Sequence, residues 1–358
     1  MTDSDSQAQF SGTKPIEAKH AFDEARLIDY LKERLEGFDG KVTIAQFKGG
    51  QSCPTYRMDA GDKRYVLRRK PPGVLLPSAH AVDREFRVCS ALHAAGYPVP
   101  KMHLLCEDED IVGTMFYLMD FVDGRVFWDP AMPELEPEGR TQAYASMRDT
   151  LAQLHNFDVA DLGLEDFGRS GNYVARQISR WSKQYVASET DQIDEMNQLM
   201  EWLPEHNPSN DTTRLVHGDF SLHNVLFHPQ EPRVVAILDW EISTLGHPLG
   251  DLSYNTLIWY GPPFDGGMAT LGGEQPTVSG VPSLREYLAG YHASTGHDMG
   301  ADVRFYKAYT MFRLACIYQG IIGRVRDGTA ANPHAGELEA RIRPLAQAAW
   351  REVQASGR

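Results

Sequence analysis

The chain has 358 residues, 42% hydrophobic and 23% charged, the composition of a globular protein large enough for two domains. Its 49 acidic and 35 basic side chains give a net charge of −14, a surface that repels nucleic acid and anionic membrane and argues against both as partners. No apolar run approaches the roughly 20 residues of a membrane helix, and the four cysteines (Cys53, Cys89, Cys106 and Cys316) form no C-x-x-C pair, which argues against a zinc knuckle or disulfide framework.

The N-terminal stretch MTDSDSQAQFSGTKP is polar and has no apolar h-region, so it does not read as a secretory signal. Residues 1–20 are expected to be a disordered arm, and the protein is expected in a reducing cytoplasm. An amphipathic helix follows over Phe22 to Glu36, with Leu27, Leu31 and Leu35 on one stripe. KVTIAQF, TYRMDAG and KRYVLRR then read as three short strands joined by Gly- and Asp-rich turns. AVDREFRVCSALHAA has helical periodicity and stops at Gly96 before Pro98. Two more strands, KMHLLCEDED and VGTMFYLMDFV, complete an antiparallel sheet carrying one helix, and Val122 to Asp129 is the expected connector. Beyond it helices dominate: Glu138 to Asn156, Val174 to Tyr185, Ile193 to Trp202, SLREYLAGYHA, Val303 to Arg326 and Gly336 to Val353. Ser283 and Glu286 have capping-box spacing. The Gly/Pro-rich GPPFDGGMATLGGEQPTVSG is a long loop suited to a mobile or substrate-facing role.

The most informative stretch is LVHGDFSLHNVLFHPQEPRVVAILDWE, residues 215–241. It orders His217, Gly218 and Asp219 in a tight loop, Asn224 five positions on, and Asp239 at the end of an apolar strand. Phosphoryl transfer from a nucleotide needs a carboxylate facing the acceptor hydroxyl, an amide oxygen on magnesium, and a second carboxylate on the metal. Asp219 is the candidate base or hydroxyl-orienting group, and Asn224 and Asp239 are the candidate Mg ligands, all oxygen donors suited to a hard cation. The spacing H-x-D-x-x-x-x-N matches a kinase catalytic loop with Gly218 where protein kinases carry Arg. Glu241 reads equally as support for the metal shell or as a solvated side chain. His217, His223, His228 and His247 have no metal-ligand spacing, and His217 is expected to hold the loop through its ring.

Upstream, FKGGQSCPTYRM lies between two strands. Gly49 and Gly50 let the backbone approach phosphates and Ser52 could donate to one, although alone a Gly-Gly pair reads as a hairpin turn. Arg68 ends its strand where kinases place a phosphate-binding lysine, and an arginine can pair phosphate bidentately. Glu85, on the following helix, is its natural partner. Met119, Asp120, Phe121 and Val122 close the last strand of the sheet, where an adenine ring would meet backbone groups. Asp251, in HPLGDLSYN, is expected at the start of a helix, where it reads equally as a brace for the catalytic loop or as a simple cap.

Through GGQSCPTY, YVLRRKPPG, HGDFSLHNVLF and ILDWEISTLGHPLGDLSYN, the chain resembles the aminoglycoside phosphotransferase (kinase-like) family over about Val42 to Arg326. Within it, these segments resemble the branch found fused ahead of acyl-CoA dehydrogenase domains. The resemblance implies an α+β, two-lobe kinase-like fold, with a small antiparallel β lobe over 21–122 and a larger helical lobe over 123–358. It implies an ATP- and Mg-dependent transfer to a hydroxyl of a small molecule. The sequence does not choose between ATP and GTP. Members of the fused branch are associated with hydroxyacyl-CoA acceptors. An aminoglycoside kinase is the rival enzyme reading, although the C-terminal helix GELEARIRPLAQAAWREVQ is mixed in sign rather than densely acidic. A nucleotide-binding pseudokinase is the rival from another class, favoured only by Arg68 in place of lysine. Gly218 and the lack of an A-P-E signature argue against a protein kinase. The acceptor and the oligomeric state cannot be read from the sequence.

Overall fold

The computed structural model describes residues 12–48, 53–72, 80–263, 269–328 and 335–355. The chain divides into two compact units. The first runs to Val126 and takes in Leu162–Leu164 and Asn224–Ser243; the second holds the remainder. The expected boundary after residue 122 therefore does not capture the later segment, residues 224–243, that returns to the first unit. Among the described residues, no helix is long and apolar enough to cross a membrane.

The first unit is built on an antiparallel sheet of six strands: β1 (Thr13–Lys14), β2 (Thr43–Phe47), β3 (Thr55–Ala60), β4 (Lys63–Arg69), β5 (Met102–Cys106) and β6 (Phe116–Asp120), in the order β1-β2-β3-β4-β6-β5. Thr13 and Lys14 pair with Phe47 and Gln46, and a 3-10 turn follows over Ala18–His20. Within the expected disordered arm over 1–20, residues 13–14 form a sheet edge, a two-residue strand too short to leave a periodic signal. Helix α1 (Glu24–Arg34) starts at Asp23, whose carboxylate accepts the Arg26 amide, and buries Leu27 and Leu31. These meet Tyr56, Met58, Leu67 and Leu118 in the main core of the unit.

Period-two alternation in β4 decides which arginine serves which face. Tyr65, Leu67 and Arg69 share the side facing that core. Arg69 donates to the carbonyls of Val112 and His20 and lies over the Phe22 ring, so its role is structural. Val66 and Arg68 point to the other face, where Tyr117, Cys53 and Val82 are buried. Arg68 lies opposite Tyr117 in the β4–β6 register. Helix α2 (Val82–Ala94) turns Glu85 and Val88 inward. The returning segment adds the hairpin β8 (Val225–Phe227) and β9 (Val234–Ile237), tied back by Arg125 to Phe227 and by the Ile237 amide to the Pro98 carbonyl.

The second unit is mainly helical: α3 (Pro137–Asn156), α4 (Tyr173–Ser188), α5 (Asp194–Glu205), α6 (Pro248–Asn255), α7 (Leu257–Tyr260), α8 (Leu284–Thr295), α9 (Val303–Arg326) and α10 (Ala335–Gln354). The strands β7 (Arg214–Val216) and β10 (Thr244–Gly246) pair antiparallel and carry the catalytic loop at their end. Helix α9 is buried on nearly every side from Phe305 to Cys316, as a helix without a polar face must be. Helix α8 begins with the capping box read from the sequence: Ser283 Oγ accepts the Glu286 amide, and Glu286 accepts the Ser283 amide. Trp259, Tyr144 and Tyr287 form an aromatic cluster with edge and tilted contacts at 4.8–6.4 Å, the geometry that ring quadrupoles favour. Of the Gly/Pro-rich loop, the part after residue 268 is tied down: Arg140 and Thr141 donate to the carbonyls of Ser279 and Gly280, and Lys307 pairs with Glu274.

Candidate active site

Each unit carries one half of the predicted constellation. In the first, Arg68 is the centre. It is 8% exposed, with Nε 3.0 Å from Glu85 Oε2, Nη2 2.9 Å from Asp239 Oδ1 and Nη2 3.4 Å from Glu241 Oε2. Burial alone would favour the neutral guanidine, but Glu85, Tyr117 and Asp239 outweigh it and hold the charge. Glu85 is fully buried; burial pushes its carboxyl above the usual range and Arg68 offsets only part of that. Its other oxygen, Oε1, accepts the Trp240 amide at 3.2 Å. The expected Arg68–Glu85 pair is thus present, and through Trp240 it also fixes the turn that follows β9.

Asp239 holds its backbone at φ +66°, a left-handed conformation that a non-glycine residue adopts only where its surroundings enforce it. The Trp240 indole packs edge-on against Tyr97 and donates to the Ile237 carbonyl. Asn224 ends a 3-10 turn at the start of β8, and its carbonyl accepts the Leu238 amide at 2.9 Å. That bond brings the residue preceding Asp239 against Asn224, so the two candidate metal ligands share one hairpin end. Their donors, an amide and a carboxylate that is one-third exposed, suit a hard cation such as Mg2+.

Of the remaining nucleotide candidates, Gly49, Gly50 and Ser52 lie outside the described residues. Met119 packs beside Tyr117. The Asp120 amide donates to Lys101 and its carboxylate pairs with His103 at 2.6 Å, while the Phe121 amide donates to the Arg64 carbonyl. Neither amide is therefore a donor for an adenine ring. Phe121 instead stacks on Phe47, with Arg64 over its face. Val122 is half-buried just past the strand.

In the second unit the catalytic loop is held by its main chain. Gly218 has φ +86°, the left-handed conformation that glycine adopts without a Cβ penalty. The amides of His217 and Gly218 donate to the two Asp251 oxygens at 2.6 and 2.8 Å. The His217 ring does hold the loop: its Nδ1 accepts the Asp219 amide at 3.1 Å. Burial would raise the Asp251 carboxyl, but His155, His217 and the Gly218 amide together hold it below its ordinary value. Of its two sequence readings Asp251 fulfils that of a brace, and its helix is capped by His247, whose Nδ1 accepts the Leu249 amide.

Two supports went unseen in the sequence. Arg313, buried in α9, donates to the Gly218 carbonyl at 2.7 Å. His155 at the end of α3 reaches Asp251 at 3.4 Å and Tyr291 at 2.6 Å. The only signal for Arg313 was a lone cation in the apolar run YTMFRLAC. Around Asp219, Tyr254 is a hydrogen-bonding neighbour whose phenol is pushed well up by burial and then by the Asp219 charge. His223 packs tilted against Trp128 with ring centroids at 4.9 Å, and burial lowers its pKa. Both rings line a pocket with Pro130, Leu222, Tyr254 and Ile258, and among the described residues no lysine, arginine or carboxylate lines it. His228 caps its own turn, accepting the Gln230 and Glu231 amides.

Comparison with known proteins supplies the context for this geometry. The pattern of the Phosphotransferase enzyme family matches residues 43–287, more than half the chain. Acyl-CoA dehydrogenase family member 11 of Homo sapiens is 42% identical over 335 residues, covering 92% of this chain and 43% of that protein. Acyl-CoA dehydrogenase family member 10 of Mus musculus is 41% identical over 339 residues, 94% of this chain and 32% of that one. The chain thus spans less than half the length of these curated relatives. A Ralstonia eutropha protein assigned to the aminoglycoside phosphotransferases superposes with a TM-score of 0.84 at 43% identity, covering 94% of this chain and all of that one. A thermostable mutant of aminoglycoside phosphotransferase APH(4)-Ia, in a complex with AMP-PNP and hygromycin B, shares the fold at 15% identity and a TM-score of 0.60, covering 92% and 99% of the two chains.

Proposed function

The chain belongs to the phosphotransferase enzyme family, and from that premise we propose that it is an ATP- and Mg-dependent kinase for a hydroxyl group on a small molecule. The observation that carries the reading is the buried Arg68, clasped by Glu85 and Asp239 at the end of a strand. A cation so fixed suits a polyphosphate, and arginine here takes the place expected for lysine without losing its carboxylate partner. That weighs against the pseudokinase reading. The AMP-PNP bound by APH(4)-Ia supports an adenine nucleotide over GTP.

Asn224 and Asp239 are the residues that would hold Mg2+, which when bound supplies neutralisation of phosphate charge. Arg68 would bind phosphate oxygens; Gly49, Gly50 and Ser52 are proposed to do the same from the loop before β3. Asp219 would accept a hydrogen bond from the acceptor hydroxyl and take its proton as the oxygen attacks. The loop needs little reorganisation for this, since Asp251, Arg313 and the His217 ring already fix its main chain. Val122 and the carbonyls beside it are the proposed adenine contacts.

The pocket beside the catalytic loop favours a particular acceptor. Trp128, the neutral His223 ring and Ile258 present aromatic and apolar surface without a carboxylate. Among the described residues that lining offers no counter-charge to the several ammonium groups of an aminoglycoside, which weighs toward a hydroxyl on an uncharged chain. A hydroxyacyl-CoA is therefore the acceptor we favour, in keeping with the acyl-CoA dehydrogenase relatives. The four free, buried cysteines are compatible with a cytoplasmic setting.

The test is calorimetric binding of ATP and ADP with and without Mg2+, followed by turnover on hydroxyacyl-CoAs, free hydroxy acids, aminoglycosides and choline. Magnesium-dependent binding with phosphorylation of a hydroxyacyl-CoA is the expected result. Tight nucleotide binding with no turnover on any acceptor would overturn the kinase reading. Turnover confined to aminoglycosides would overturn the acceptor.

A further inference from the structure

Within the first unit a thiol, an imidazole and a carboxylate converge. Cys53 lies just before β3, His80 just before α2, and Glu241 two residues beyond Asp239. Their ligand atoms all lie within 4.8 Å of one another. Cys53 Sγ is 3.5 Å from His80 Nδ1, and His80 Nδ1 is 3.8 Å from Glu241 Oε2. We propose that Cys53, His80 and Glu241 form a site for a thiophilic divalent cation of the Zn2+ class, separate from the Mg2+ ligands Asn224 and Asp239.

These separations are compatible with such an ion, and the sulfur–oxygen separation, within 4.8 Å, closes by the same movement of Glu241. With metal–sulfur bonds of about 2.3 Å and metal–nitrogen bonds of about 2.0 Å, a tetrahedral centre sets sulfur and nitrogen about 3.5 Å apart and nitrogen and oxygen about 3.3 Å apart. The first separation is already met; the second needs Glu241 to move by about half an ångström, a small adjustment for a glutamate side chain. Thiolate, imidazole and carboxylate make a donor set for Zn2+ or Co2+, whereas Mg2+ prefers oxygen alone. Three protein ligands leave a fourth position for water or an anion.

Two further features fit. His80 holds its backbone at φ +54°, so the ring reaches Cys53 from a conformation that few histidines adopt. Cys53 is 1% exposed, yet the charged carboxylate and the imidazole are each about one-quarter exposed, so an ion can enter from their side. Binding forms a metal–sulfur bond at the expense of the S–H bond, and one proton leaves to solvent.

The test is a titration of the metal-free full chain with Co2+, followed by absorbance. The expected result is a near-ultraviolet thiolate-to-cobalt band with tetrahedral visible bands, saturating at one equivalent, bleached by Zn2+ and unaffected by excess Mg2+. Cys53→Ser should abolish the near-ultraviolet band, while Cys316→Ser should leave it unchanged. Glu241→Gln should weaken binding by on the order of tenfold or more and serves as the second variant should Cys53→Ser fail to fold. Lack of a near-ultraviolet band, its persistence in Cys53→Ser, or displacement by Mg2+ would overturn the proposal. The readout is metal binding without turnover, so its failure is distinguishable from failure of the kinase reading.

Discussion

The two halves of the constellation are held by different physics. Around Arg68, side chains hold side chains: one buried guanidinium is fixed by Glu85 and Asp239, with Glu241 at longer range. Around Asp219, side chains hold main chain: Asp251 takes two amides, Arg313 takes the Gly218 carbonyl and His217 takes the Asp219 amide. The first arrangement keeps a charge fixed in a buried place, the one the proposed function assigns to a polyphosphate. The second fixes a backbone so that a carboxylate is presented in one orientation. Damage to the first should therefore register in stability and nucleotide binding, and damage to the second in turnover.

The sharpest way to break that distinction is Asp219→Asn. Under the kinase reading, turnover should fall by about 10²- to 10⁴-fold while nucleotide affinity stays within a factor of about two, since only the hydroxyl-orienting group is altered. Equal losses in both, measured by steady-state kinetics and calorimetry, would mean that the halves are not separable.

Arg68→Met probes the other half. It leaves the fully buried Glu85 without its cation, so that the carboxyl either stays charged unpaired or takes up a proton, a loss on the order of 3–5 kcal/mol by urea unfolding. The double substitution Arg68→Met, Glu85→Leu should recover most of that stability while nucleotide binding stays lost, because the buried charge is removed together with its partner. Recovery of binding would show that Arg68 serves structure alone.

A smaller effect is expected from Asp251→Asn, which exchanges a charged acceptor of two amides for a neutral one. Hydrogen bonds to charged groups contribute about 1.5–3 kcal/mol, so turnover should drop by about ten- to a hundredfold. Nucleotide affinity should be untouched. A drop in affinity instead would place the brace in the wrong half.

These contrasts also explain what could be read from the chain. Strands β2 to β6 and the long helices have periodic apolar patterns, so α9 was placed over Val303–Arg326 with the bounds observed. HGDFSLHN and LDWE make Asp219, Asn224 and Asp239 candidates because their spacing is local. Glu85 was found because it sits on the right turn of a helix next in sequence. Arg313 and His155 were not legible: each meets the loop or its brace from 95 or 96 residues away. A buried ion or hydrogen-bonded histidine has no sequence periodicity of its own. The juxtaposition of Cys53 and His80 with Glu241 escaped for the same reason. Two residues of β1 are too few to show alternation, which is why the sheet edge inside the expected N-terminal arm went unread.

The last contrast is in acid. His247 caps the helix that carries Asp251, and its Nδ1 must stay unprotonated to accept the Leu249 amide. Burial, with a contribution from His297, depresses its pKa to about 4. The unfolded chain takes up this proton near pH 6.5, so between about pH 6.5 and 4 unfolding is accompanied by proton uptake. A depressed histidine thus contributes stability that is complete above the unfolded value and is lost as pH falls toward the folded one. His247→Asn keeps a good capping oxygen and removes the titration. Its melting temperature should fall less steeply than that of the parent protein between pH 7 and 4.5, the gap corresponding to about 2 kcal/mol. Parallel curves would show that the acid sensitivity of the catalytic half arises at another histidine, with His223 and His297 the next to substitute, since burial lowers both.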